Sequence, residues 1–130
     1  MIDVFNNIYD GLKTKLSELD IPITTGYQQK HTLFPIVVID ELNNVIDMKT
    51  LDTDGVYADN VSIEINIYSK SKTPRNEIQP IKQLIDLYMV NELCCNRNFS
   101  SQTPNYDNDV YRYTLRYNFI IDKNLTIYRR

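Results

Sequence analysis

The chain has 130 residues, which fits one domain of ordinary size, and hydrophobic residues make up 42 % of it, enough for one core. A chain this short buries roughly two-thirds of its unfolded surface, so any large extra apolar area must go to a partner. The net charge of −3 argues against nucleic acid as the main partner, because phosphate binding needs a clustered positive field.

The start, Met1-Ile2-Asp3-Val4-Phe5, lacks a basic stretch followed by a continuous apolar run, so it does not read as a signal peptide. Residues 2–19 read as an amphipathic helix, with Ile2, Phe5, Ile8, Leu12, Leu16 and Leu19 recurring at three- and four-residue steps. Asp3 suits the helix dipole, and Pro22 cannot continue a helix, so the element ends by about residue 20. A short edge strand is expected over Ile21 to Tyr27, with Pro22 confined to the edge. Phe34 to Leu42 follows as a strand that is nearly apolar on both faces in its first half. It should be central or covered twice. Its run Ile36 to Ile39 is the longest apolar stretch and is far too short to span a bilayer, so no membrane role is expected.

Residues 43–56 form a long connection without a clean period, and connections of that length tend to be functional or mobile. Val45, Ile46, Met48 and Leu51 give it apolar content that a purely solvated loop would not carry. Two readings stand: a protruding hairpin or arm, spanning about 43–60, that packs on another subunit, or a loop folded back on its own domain. The next strand has the clearest alternation, with Val61, Ile63, Ile65 and Ile67 set against Ser62, Glu64, Asn66 and Tyr68. Thr73-Pro74 looks like an N-cap followed by proline at the first helical position. A second helix should run from Pro74 to about Leu93 with Ile78, Ile81, Leu84, Ile85, Tyr88 and Met89 as its apolar stripe. Pro80 inside it bends the helix or delays its start. A short strand over Asn98 to Thr103 precedes a turn, and Val110 to Asp122 is the last long strand. Tyr111, Tyr113, Leu115, Tyr117, Phe119 and Ile121 share one of its faces. That tyrosine-rich face is either a core row or an interface, since tyrosine combines apolar area with a polar handle. The segregated order of elements predicts a single α+β domain over 1–130: a mainly antiparallel sheet of four to six strands with two helices on one face, plus the arm.

Candidate chemistry meets specific obstacles. Cys94 and Cys95 are adjacent and could join only through a strained ring, so they read as reduced thiols of a protein folded in a reducing cytoplasm. His31 is the only histidine; a thiol or hydrolytic enzyme using it with Cys94 or Cys95 is a remote alternative, as no signature surrounds them. Asp52-Thr53-Asp54-Gly55 opens like a calcium loop but lacks the later oxygen ligands and the closing glutamate, so no metal site is expected. The three glycines are too far apart to cradle a phosphate. No catalytic, metal-binding or cofactor-binding residues are assigned, and no cofactor is expected.

Charge is polarised along the chain. Asp40, Glu41, Asp47, Asp52, Asp54 and Asp59 are opposed only by Lys49 between residues 40 and 60. Arg112, Arg116, Lys123, Arg129 and Arg130 are opposed only by Asp122 between residues 110 and 130. Either the two sets neutralise each other within one molecule, or the acidic arm of one copy meets the basic strand of the next in a head-to-tail contact. Such a contact closes into a ring when the rotation permits.

The layout resembles the small tail terminator and tail-completion proteins of long-tailed bacteriophages. The resemblance rests on the helix ending before Ile21-Pro22, the strand Phe34-Pro35-Ile36-Val37-Val38-Ile39, the insertion before the strand Val61 to Tyr68, the helix at 74–93, and the last strand Tyr111-Arg112-Tyr113-Thr114-Leu115-Arg116-Tyr117. It covers nearly the whole chain, through a pattern of elements and not through a diagnostic motif. The resemblance implies a non-enzymatic structural protein that forms a ring, usually of six copies, capping the finished tail tube and presenting a surface to the neck of the head. It implies tail tube protein and a head-tail connector or neck protein as partners, with passing DNA only incidental; in such a ring the basic residues Arg112, Arg116, Lys123, Arg129 and Arg130 would face a neighbouring subunit or line the lumen. The implied location is the tail–neck junction of a virion assembled in the bacterial cytoplasm. Another neck component, such as a head-completion or adaptor protein, and the collar of a phage-tail-like bacteriocin share these features.

Overall fold

The alternating strand Val61 to Tyr68 lies in the middle of a six-stranded sheet in the computed structural model, which describes residues 3–25, 34–47, 58–104, 109–122 and 127–128. The elements in order are α1 Phe5–Leu16, β1 Ile23–Thr25, β2 Ile36–Asp47, β3 Ala58–Ser69, α2 Pro74–Asp86, β4 Asn96–Thr103, β5 Tyr111–Asp122 and β6 Ile127–Tyr128. The sheet order is β1-β2-β3-β5-β4, and β6 pairs with β5 off this path. Every neighbouring pair is antiparallel except β1 with β2, which is parallel. The domain is therefore α+β, with a mainly antiparallel sheet as the pattern of elements predicts.

The two helices cover one face. Their buried residues, Ile8, Leu12, Leu16, Ile78, Ile81 and Ile85, join one core with a single parity of the sheet: Val37 and Ile39 from β2, Val61 to Ile67 at alternate positions of β3, and Leu115, Tyr117, Phe119 and Ile121 from β5. Period-2 strands and period-3.6 helices thus meet through the faces that their sequences mark as apolar. The helices also touch directly. A Cβ on Gly11 would overlap the Tyr88 hydroxyl and lie 2.6 Å from Tyr88 Cζ, so the lack of a side chain at Gly11 lets the Tyr88 ring sit against α1. Lys15 Nζ lies 3.1 Å from Glu92 Oε1.

Helix α1 ends as Pro22 requires. A 3₁₀ turn over Ser17–Leu19 tightens the last turn, Asp20 takes a left-handed conformation at φ 55°, and the Ile21 N–H returns to the Leu16 carbonyl at 3.2 Å. Pro74 opens α2, with Thr73 in the N-cap position. The cap bond from the Thr73 side chain is missing; its carbonyl instead accepts the N–H groups of Asn76 and Glu77. Pro80 neither breaks nor delays the helix. Beyond Asp86 the helix widens to i→i+5 bonding over Leu87–Glu92, with the Leu93 N–H reaching the Tyr88 carbonyl at 3.0 Å.

The structure changes the reading of the long connection. Residues 43–47 are the second half of β2 and pair with 58–62 of β3, and that part of β3 pairs in turn with 118–122 of β5. The flanks of the expected arm are thus strands of the main sheet. Residues 48–57 lie outside the described residues. A bulge between Glu41 and Asn43 resets the pleat, so that Glu41 and Asn44 both face the helix side and Leu42 is left 50 % exposed.

Candidate assembly surfaces

The face opposite the helices carries the polar positions of β3 and β5. Antiparallel register sets Asp40, Glu64 and Arg116 in one row, and Tyr68 opposite Arg112 two rows away. Glu64 becomes the centre of a network. Arg116 Nε donates to Glu64 Oε2 at 2.9 Å, and Arg112 NH2 approaches Glu64 Oε1 at 3.4 Å. Asn66 Nδ2 donates to Glu64 Oε1 at 2.8 Å, and Arg112 Nε donates to Asn66 Oδ1 at 2.9 Å. The Thr114 hydroxyl donates to Asn66 Oδ1 at 2.6 Å. The Arg116 guanidinium also stacks over the Phe99 ring, 4.8 Å from its centroid. Burial alone would raise the Glu64 pKa. The bonds from Asn66 and Arg116, together with the charges of Arg116 and Arg112, outweigh it and hold the carboxyl below the usual glutamate value.

The acidic residues named from the sequence do not form one patch. Asp40 lies on the Glu64 row, whereas Glu41 and Asp59 lie on the helix-covered face, Asp59 with 1 % of its surface exposed. Partial burial pushes the Glu41 carboxyl up, the charges of Asp3 and Asp59 add to the rise, and a hydrogen bond with Asn44 opposes it. Asp47 ends β2 in the row of Ala58 and Asp122. Asp52, Asp54, Lys123, Arg129, Arg130 and His31 lie outside the described residues. Arg112 and Arg116 come together on β5, where both pair with Glu64 of the same chain, a residue outside the acidic set named from the sequence. Part of the charge polarity is thus settled within one molecule, through a residue that the net-charge count along the chain passed over.

A second polar cluster was also missed. Tyr117 is fully buried, and its hydroxyl donates to Asp86 Oδ1 at 2.9 Å, while Arg97 NH1 holds the other carboxylate oxygen at 2.8 Å. Burial first, and then the Asp86 contact, push the Tyr117 pKa well above its ordinary value. The tyrosine face of β5 is accordingly a core row at Tyr117, while Tyr111 and Tyr113 pack on the margin of the core. The Lys82 ammonium sits 4.7 Å over the Tyr113 ring.

These arrangements fix strands and charges; they do not pair a nucleophile with a base. Cys95 is buried and its thiol is pushed up to about 12 by burial and by neighbouring Cys94, which leaves almost no thiolate near neutrality. Among the described residues, no group of three or more histidine, cysteine, aspartate or glutamate side chains is placed to hold a metal ion. A groove of about 650 Å³ runs between the end of α1 and the start of β2, lined by Lys13, Ser17, Ile21, Pro22, Phe34 and Pro35. Among the described residues, no helix is long and apolar enough to cross a membrane.

No family model matches the chain, and no curated protein matches it.

Proposed function

We propose that this chain is a ring-forming tail terminator of a phage-type particle, a non-enzymatic protein that binds the end of a finished tail tube and joins it to the neck of the head. The reading is supported by the order of elements: a helix, a short edge strand, a long two-stranded segment, a second helix and a further antiparallel pair, with both helices on one face of one sheet. The resemblance to tail terminator proteins rests on the first helix, the strands at 34–39 and 61–68, the second helix and the last strand of this order, together with an inserted arm of which residues 48–57 lie outside the described residues. Termination in this reading is physical. A ring that matches the growing end on one side and differs on the other leaves no surface to which the next tube subunit can add. The partners are other copies of the chain, tail tube protein and a neck protein, and the place of action is the tail–neck junction of the virion.

The arginines of β5 do not line a DNA passage as free cations in this account. Arg112 and Arg116 are spoken for by Glu64 and Asn66, which lowers the local positive field that DNA would meet. Deleting the gene and imaging the resulting lysate by electron microscopy tests the proposal. Tails of abnormal length without heads are expected, and normal tails attached to heads would overturn it.

A further inference from the structure

We infer that the groove between α2 and β4 holds an extended, acidic segment of a partner protein, which adds to the sheet as a strand beside β4. This contact goes beyond the ring reading and stands whether or not the chain ends a tail tube.

The groove has a volume of about 480 Å³. Helix α2 and its widened continuation line it with Gln79, Gln83 and Leu87, which follow one another at four-residue steps and so form one row along the helix. Strand β4, the last of the sheet path, lines it with Arg97 and Ser100. A bulge between Arg97 and Phe99 shapes this wall. It resets the pleat, so that Arg97 stands in the row of Tyr117 and joins Ser100 and Gln102 on the helix side. Without the bulge Arg97 would share the opposite face with Phe99.

The charges select an acidic occupant. Asp86 lines the groove, but both of its oxygens are engaged within the chain: Oδ1 accepts from the Tyr117 hydroxyl at 2.9 Å and Oδ2 from Arg97 NH1 at 2.8 Å. The Arg97 side chain is still 48 % exposed. The Lys82 ammonium sits 4.7 Å over the Tyr113 ring, and among the described residues it has no carboxylate partner. Strand β4 carries no acid from Asn96 to Thr103. An incoming carboxylate therefore meets two cations, whereas an incoming lysine or arginine would face like charges.

The shape selects an extended segment. Natural proteins blunt an edge strand with lysine or proline, and β4 has neither between Asn96 and Thr103, while Ser100, Ser101 and Gln102 are exposed. A strand laid beside β4 turns every second side chain into the groove, so acids at alternate positions come within reach of Lys82 and Arg97. Leu87, at 56 % exposure the most open large apolar side chain on the described surface, is covered by the same segment. Backbone bonds to β4 supply affinity, and the groove chooses among side chains.

Fluorescence anisotropy on the purified chain tests this with a short labelled peptide that alternates valine and glutamate, and with its counterpart carrying lysine in place of glutamate. The glutamate peptide is expected to bind about tenfold tighter than the lysine peptide at low salt, and the preference should shrink as salt is raised. Lys82→Gln, folded as judged by circular dichroism, should lose most of that preference. N-methylation of alternate residues of the glutamate peptide keeps its charge and removes its strand bonding, and should abolish binding. Hydrogen exchange on the unaltered chain needs no variant: the amides of β4 should exchange more slowly when the glutamate peptide is bound. No binding of the glutamate peptide, equal affinity for the glutamate and lysine peptides, or unchanged exchange in β4 would overturn the assignment. Tube length is measured separately, so a failure here leaves the ring reading standing, and the reverse also holds.

Discussion

Replacing Tyr117 with alanine is expected to lower stability by about 3–5 kcal/mol, the range for emptying a fully buried aromatic site, and Tyr117→Phe by about 1 kcal/mol. The difference separates the two roles of the side chain. The ring has no exposed surface and fills the core between β5 and the helices, whereas the hydroxyl contributes one bond to Asp86. Asp86 keeps Arg97 and, being part-exposed, recovers a water in place of the lost donor, so removing the hydroxyl costs only a modest amount. The alkaline limb gives a second readout. The folded-state pKa of Tyr117 is raised above its unfolded value of 10.0, so its contribution is complete below pH 10 and is lost as pH rises beyond it. Chemical denaturation followed above pH 10 should therefore show a shallower fall for Tyr117→Phe than for wild type.

Glu64→Gln is expected to cost about 1–3 kcal/mol near neutrality, because it leaves Arg112 and Arg116 without their shared carboxylate on a sheet face where Glu64 is only 13 % exposed. The sign of the pH dependence follows from the lowered pKa. The carboxylate contributes above its unfolded value near 4.5 and stops contributing as pH falls through the folded value below that. Wild type and Glu64→Gln should therefore converge in stability as the pH is lowered below 4.5 in urea titrations. Glu41 provides the opposite control. Its pKa is raised by burial and by Asp3 and Asp59, so Glu41→Gln should leave stability near neutrality unchanged or higher, with the difference from wild type growing as pH rises through 4.5. A loss of stability in Glu41→Gln equal to that in Glu64→Gln would mean that the two carboxylates are not distinguished as the geometry requires.

The elements were legible wherever a local period carried them. Val61 to Ile67 and Leu115 to Ile121 alternate, and each set went to the core; the Ile36 to Ile39 run is buried on both faces; the stripes of α1 and α2 meet the sheet. What could not be read is set by partners far away in sequence. Glu64 and Arg116 are 52 positions apart, and nothing local says which residue of one strand stands opposite which of another; a slip of one would have put them on different faces. For the same reason the charge count along the chain grouped Asp40 with Glu41 and Asp59, although the pleat divides them between two faces. The parallel sense of β1 depends on the path between α1 and β2 and leaves no mark in a three-residue strand. Residues 43–47 fall in the long connection that the sequence leaves as a hairpin arm or a folded-back loop, because the stretch has no clean period. The ladder to β3 holds them as strand through backbone bonds that do not require a side-chain period.

The central claim, that the chain caps a growing tube, is tested most directly by adding the purified protein to polymerising tail tube protein and measuring tube lengths in electron micrographs. The account predicts shorter tubes of bounded length with the chain confined to one end. Tubes that elongate as they do without it, with no chain at either end, would contradict it.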